Sequence, residues 1–216
     1  MSANARLDSP SYHENITPIL DVLRDAFAGL GGHHALEVGS GTGQHVVDFA
    51  RAFPDITWWP TDLDPHHLSS IAAWREGASL PNLQAPVRLD AGQADWGLGQ
   101  SDRPPADGFA AMVCINVTHI SPWATTEGLM KGAGQYLTPG GLLYLYGPYS
   151  RDRKHTAPSN QRFDQYLRTQ NPEWGVRDIA DIETLGREHG LSLQSVIDMP
   201  VNNFSIILER MPADRA

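Results

Sequence analysis

The chain has 216 residues, 41% of them apolar, and carries 25 acidic against 16 basic side chains, a formal charge of −9. That length suits one α/β domain with a real core, and that charge excludes a generic nucleic-acid binder, whose affinity comes from Lys and Arg on phosphates. A single cysteine, Cys114, excludes an internal disulfide framework and a cysteine metal site.

In chain order, residues 1–11 are polar and read as a flexible tail. Ile16, Ile19, Leu20, Leu23, Phe27 and Leu30 fall on one helical face, with Thr17-Pro18 as a start and Gly31-Gly32 as a stop. Ala35–Val38 is a strand that runs into Gly39-Ser40-Gly41-Thr42-Gly43, and a helix follows from Gln44 to Phe53. Ile56–Trp59 is a second strand, ending at Pro60-Thr61-Asp62, and Asp64-Pro65 caps a helix to about Arg75. Pro86–Leu89 is a short third strand ending at Asp90; residues 91–108 form a loop; Ala110–Asn116 is a buried fourth strand. Ser121-Pro122 opens a helix through Tyr136, Thr138–Gly141 turns, and Leu142–Tyr146 is a fifth strand. Residues 147–177 read as an inserted, substrate-side segment with a short helix around Phe163, Tyr166 and Leu167. A helix from Asp178 to His189 stops at Gly190, and strands Leu191–Met199 and Phe204–Glu209 flank the turn Pro200–Asn203.

Alternating strands and helices predict an α/β, Rossmann-like fold over 1–216: a mostly parallel seven-stranded sheet, a terminal antiparallel pair, and helices on both faces. No H-E-x-x-H occurs among the nine histidines, so no metal is expected. No secretory pattern or bilayer-length apolar run is present, so no membrane partner is expected and a cytoplasmic location is the default. Whether the chain is a monomer or a homodimer is not legible.

Strand, glycine loop and helix form the layout of a nucleotide-type cofactor site, with free N–H groups at the helix start. The dinucleotide pattern G-x-G-x-x-G fails, because Gln44 and Val46 stand where its last glycine belongs, and no Gly-Lys-Ser/Thr supports a P-loop. The string Glu37 to Gly43, E-x-G-x-G-x-G, resembles motif I of class I S-adenosylmethionine-dependent methyltransferases. Cofactor candidates are Glu37, Gly39, Ser40, Gly41, Thr42 and Gly43 in the loop, and Asp62, nineteen residues after Gly43, for a ribose. Asp90 suits an adenine amino group, Leu63 and Trp96 could flank its ring, and Asn116 ends the fourth strand.

Longer strings carry a family resemblance. Ser40–His45, Cys114-Ile115-Asn116 with His119-Ile120, Ser121-Pro122-Trp123, Leu143–Tyr149, His155–Asn160 and Trp174–Asp178 together resemble the domain-of-unknown-function 938 family, whose animal members are called methyltransferase-like protein 26. The resemblance spans roughly residues 10–210 and implies a class I methyltransferase fold that binds S-adenosylmethionine, leaving S-adenosylhomocysteine; it implies no substrate. It also places Asn15 at the cofactor, although Glu14-Asn15-Ile16 departs from the family's Arg-Asn-Lys-like string.

Methyl transfer needs a nucleophile aligned with the carbon–sulfur bond and, for some acceptors, a base. His119 is the first candidate for that base, its alternative role being to shape a loop; His155 is the second and Tyr146 a third catalytic candidate. Tyr149, Ser159, Asn160 and Asn202 are candidates for substrate binding. The expected function is methyl transfer to a small-molecule O, N or S nucleophile. The competing reading is a non-catalytic protein that keeps the fold and the cofactor.

Overall fold

The structure is a computed structural model and describes residues 5–30, 32–100, 103–105 and 108–212. Gly31, half of the expected helix stop, lies outside the described residues, as do residues 1–4 of the expected tail and 101, 102, 106 and 107 of the expected loop. The elements are α1 (Pro10–Ala26), β1 (His34–Val38), α2 (Gln44–Ala52), β2 (Thr57–Asp62), α3 (Pro65–Ala78), β3 (Val87–Arg88), β4 (Phe109–Ile115), α4 (Trp123–Tyr136), β5 (Leu137–Gly147), α5 (Pro158–Gln170), α6 (Ile179–Glu188), β6 (Leu191–Met199) and β7 (Asn203–Arg210). The seven strands lie in the order β3-β2-β1-β4-β5-β7-β6. β1 pairs parallel with β2 and β4, β2 pairs parallel with β3, and β7 pairs antiparallel with β5 and β6. This is the expected Rossmann-like layout.

The backbone divides into two compact units, Met1–Asp90 with Gly97–Val113, and Ala91–Trp96 with Cys114–Ala216. In the first, Trp58 of β2 is fully buried, with the rings of Phe49, Phe53 and Phe27 at 5.2, 6.2 and 6.3 Å. Rings at these separations interact beyond their simple burial. Asp64 caps α3 as expected, its side chain accepting the His66 N–H at 2.8 Å.

Two N-terminal expectations need correction. α1 starts at Pro10 rather than at Thr17-Pro18, and Pro18 stands inside the helix. Proline serves equally at a first turn, so two prolines offered two starts; burial of Asn15, Ile19 and Leu23 on one face selects the longer helix. Nor are residues 6–9 a loose tail. The Arg6 guanidinium lies 4.9 Å from the Trp74 ring centroid and its Nε donates to the Ala73 carbonyl. The Leu7 N–H donates to Ser70 Oγ, and the Ser9 N–H to Gln44 Oε1, both at 2.8 Å.

In the second unit, β5 and β7 pair from Leu142↔Glu209 to Gly147↔Phe204. The β6–β7 turn places Val201 (φ 58°) and Asn202 (φ 61°) in the left-handed region, as a tight hairpin turn requires. Asp178 caps α6 by accepting the Ala180 N–H at 3.0 Å. The inserted segment contains the expected helix, α5, which buries Asn160, Asp164 and Leu167. Among the described residues, no helix is long and apolar enough to cross a membrane.

Candidate cofactor and substrate sites

β1 ends at Val38 and α2 begins at Gln44, so five residues make the connection. Gly39, Gly41 and Gly43 all have positive φ, at 72°, 55° and 89°, where a side chain is disfavoured. The glycines differ in surroundings. A Cβ on Gly43 would lie 2.8 Å from the Ile71 Cα, so this glycine lets α3 approach. A Cβ on Gly41 would meet nothing within 4 Å, so the loop presents bare backbone to open space there. The loop is anchored to β2: the Ser40 N–H donates to the Thr61 carbonyl at 2.8 Å, and the Thr61 N–H donates back to Ser40 Oγ at 3.2 Å. Thr42 is not free in the same sense, because its Oγ1 donates to Gln44 Oε1 at 2.9 Å.

Two carboxyl groups frame this loop. Asp62 Oδ2 accepts the Gly41 N–H at 2.8 Å, and Oδ1 accepts the Asp64 N–H at 2.9 Å and lies 3.2 Å from His67 Nδ1. A carboxylate has about four acceptor positions, so capacity remains beyond these three partners for a ligand hydroxyl. Leu63 next to it is 46% exposed. Glu37 is 2% exposed, and its Oε2 has no hydrogen-bond partner. Burial pushes its carboxyl up to about 8, against a hydrogen bond with Ser40 that lowers it, and the charge of Asp62 pushes the same way as burial. Asp90 is half-buried beyond β3, and Asn15 is buried on α1.

Gln44 was absent from the expected set, and it is the joint between the loop and the N-terminal segment. Its Oε1 accepts from Ser9 and Thr42, and its Nε2 donates to Asp8 Oδ1 at 2.9 Å. Ser70 Oγ donates to the Thr42 carbonyl at 2.7 Å while accepting from Leu7. The sequence signal was only the position of Gln44 at the helix start.

In the second unit, Asn116 follows β4 with φ 63°, and its N–H donates to the Tyr146 carbonyl at 2.8 Å. A left-handed non-glycine residue at a strand end costs about 1 kcal/mol and persists where its surroundings hold it. Trp96 is 4% exposed and stacks on Tyr136 at 5.5 Å, over Gly132. Its ring packs the loop onto α4 and has little face to offer an adenine.

The expected catalytic and substrate groups have very different surroundings. His119 is fully buried, its ring edge-on to Tyr149 at 4.6 Å, with Nε2 3.4 Å from Thr118 Oγ1 and Nδ1 unpartnered. Burial, then the Arg177 guanidinium, pushes it down to about 3. The enclosed ring, packed against Tyr149, suits the loop-shaping role. Gly147 makes room for it, since a Cβ there would strike the His119 ring. Tyr149 is also fully buried, its hydroxyl 3.1 Å from Thr118 Oγ1, and burial pushes its phenol far up. Protein encloses it. Tyr146 is 1% exposed and accepts from Asn203 Nδ2 at 3.1 Å.

Ser159, Asn160 and Asn202 meet each other. Asn160 Nδ2 donates to the Asn202 carbonyl at 2.8 Å, and Asn202 Nδ2 donates to Ser159 Oγ at 3.3 Å. They latch α5 to the β6–β7 turn. His155 stands apart, with its side chain 30% exposed and Nε2 3.8 Å from Asp164 Oδ2. It lines an open polar groove of about 620 Å³ with Trp123, Arg153, Arg177 and Asp178. Arg177 was not expected to matter. It bridges the carbonyls of Thr118, Ser121 and Glu173 and lies 5.5 Å from the Trp123 ring centroid.

This fold is shared with solved methyltransferase structures. The S-adenosylmethionine-dependent methyltransferase SibL, in its apo form, superposes with a TM-score of 0.73 at 19% identity, over 94% of this chain and 56% of that one. An O-methyltransferase family protein from Burkholderia thailandensis gives 0.72 at 15% identity, over 94% and 58%. A candidate sarcosine dimethylglycine methyltransferase from Galdieria sulphuraria gives 0.72 at 10% identity, over 96% and 92%. The chain thus spans little more than half of the first two and nearly all of the third. At these identities the likeness is one of fold. The sequence itself matches the model of the family described as protein of unknown function (DUF938) over residues 6–210, nearly its whole length, so the chain belongs to the DUF938 family.

Proposed function

We propose that this protein transfers a methyl group from S-adenosylmethionine to a small-molecule O, N or S nucleophile. The observation that carries the reading is the loop from Gly39 to Gly43, with open space over Gly41 and the Asp62 carboxylate on the Gly41 N–H. The residues present fit an adenosyl amino acid: backbone N–H groups at the start of α2 for a carboxylate, Asp62 for a ribose hydroxyl, the unpartnered Glu37 oxygen for an amino group, and Asp90 and Leu63 for adenine. The methyltransferase folds that this chain resembles support the same choice.

When bound, the cofactor supplies a methyl group on a sulfonium. This chain supplies orientation. The loop amides and Asp62 hold the adenosyl part. Of the three catalytic candidates, His155 is the one open to solvent, so an acceptor that must lose a proton would lose it to His155.

A second reading, a cofactor-binding scaffold without turnover, is favoured by one observation: His119, Tyr146 and Tyr149 are all enclosed by protein. Calorimetric titration with S-adenosylmethionine and S-adenosylhomocysteine, with NAD as control, tests what both readings share. Micromolar binding of the adenosyl ligands alone is the expected result. Methyl transfer to a panel of phenols, thiols, amines and carboxylates then separates enzyme from scaffold. A protein that binds and methylates nothing in the panel supports the scaffold.

A further inference from the structure

The foot of the glycine loop holds a carboxyl group in an unusual state. Glu37 is 2% exposed, with Oε2 making no hydrogen bond. Ser40 hydrogen-bonds the carboxyl, and the charge acting on it is another carboxylate, Asp62 of β2, with His67 of α3 beyond at 3.2 Å from Asp62. The residues in register with Glu37 on its neighbouring strands, Pro60 and Val113, bring no charge. Ionised, Glu37 would be a desolvated anion with a bare oxygen beside a second anion, and such a group keeps its proton.

We propose that Glu37 is protonated in the ligand-free protein and gives up that proton when the ammonium end of an S-adenosyl amino acid enters the loop, so that cofactor binding and proton release are one event. The proposal rests on the cofactor reading above. The O–H bond of Glu37 breaks, its electron pair stays on the carboxylate, and the proton goes to buffer. The ammonium arrives already protonated and donates an N–H to the freed oxygen. The new cation beside Glu37 replaces the solvent that burial removed and outweighs the repulsion from Asp62.

The coupling makes affinity depend on pH in one direction. Below the point at which free Glu37 titrates, each released proton strengthens binding about tenfold per pH unit. The ligand's own ammonium is intact at about pH 6.5, so it does not obscure the count.

The test is calorimetric titration of the wild-type protein with S-adenosylhomocysteine at about pH 6.5, in two buffers of different ionisation enthalpy. The expected result is about one proton released per ligand bound, and about a tenfold tighter Kd at pH 7 than at pH 6. Glu37→Gln is expected to bind without release, and His67→Gln to release as wild type does. Binding with the same heat in both buffers overturns the coupling and leaves the cofactor reading standing. No binding by the folded protein removes both. Release that survives in Glu37→Gln but vanishes in His67→Gln assigns the proton to His67 and refutes the proposal. Should Glu37→Gln fail to fold, the wild-type buffer comparison still decides.

Discussion

The glycine loop and the segments beyond β4 and β5 use most of their polar atoms in opposite ways, His119 Nδ1 being the unpartnered exception in the second. In the loop, three glycines remove side chains, Gly41 faces open space, and Glu37 keeps an oxygen without a partner. Beyond β4 and β5, candidate polar groups bond to one another: Thr118 with Tyr149, Asn203 with Tyr146, Asn160 with Asn202, and Asn202 with Ser159. Unspent polar capacity beside bare, open backbone is what a ligand can use, because burying a bare polar group costs free energy that a partner offsets.

The two regions differ most at Gly43. Gly43→Ala forces a Cβ to 2.8 Å from the Ile71 backbone at φ 89°, so a loss of about 3 kcal/mol is expected by urea denaturation. Gly41→Ala meets nothing within 4 Å. It is expected to cost only about 1 kcal/mol of stability while weakening S-adenosylhomocysteine binding at least tenfold by calorimetry. Equal effects of the two on stability would mean that the loop has no ligand-facing side.

His119→Ala is next, at about 2–4 kcal/mol, because a buried ring is removed from a packed wall. The shape of the pH–rate profile of turnover should be unchanged. A lost limb in that profile would restore His119 as the base.

Glu37 sets the loop apart through pH. Its folded pKa, pushed up to about 8, lies above the ordinary value of 4.5. The folded state therefore binds the extra proton between those values, and its stability falls as pH rises through the window. Glu37→Gln lacks this loss, so its stability relative to wild type should rise between about pH 5 and 8, by on the order of 1 kcal/mol per unit at most. Denaturation at several pH values checks it; a constant difference would place Glu37 as an ordinary carboxylate.

The smallest effect is expected at Asn160. Asn160→Ala removes the donor to the Asn202 carbonyl and should cost about 1 kcal/mol, with cofactor affinity unchanged. A cofactor defect in this variant would contradict the latch role.

Much of the fold was legible in the chain because its signals are local. Alternating apolar runs placed the strands in order, Asp64-Pro65 and Asp178 marked helix starts, and the failed G-x-G-x-x-G count turned the cofactor away from a dinucleotide. The start of α1 was misplaced because a proline fits a first turn at either Pro10 or Pro18, and only packing chooses between them.

The strand–glycine–helix unit, the succession of strands and helices along the chain and the family were legible in the sequence. Each depends on residues within one element or on patterns that repeat along the chain. Tertiary structure alone decided that His119 and Tyr149 are enclosed, that Asn160 holds Asn202, that Gln44 gathers the N-terminal segment onto the loop, and that Glu37 is left with a bare oxygen. These are matters of burial and partnership between residues tens of positions apart, and a side chain's chemistry is set by what surrounds it, not by its name.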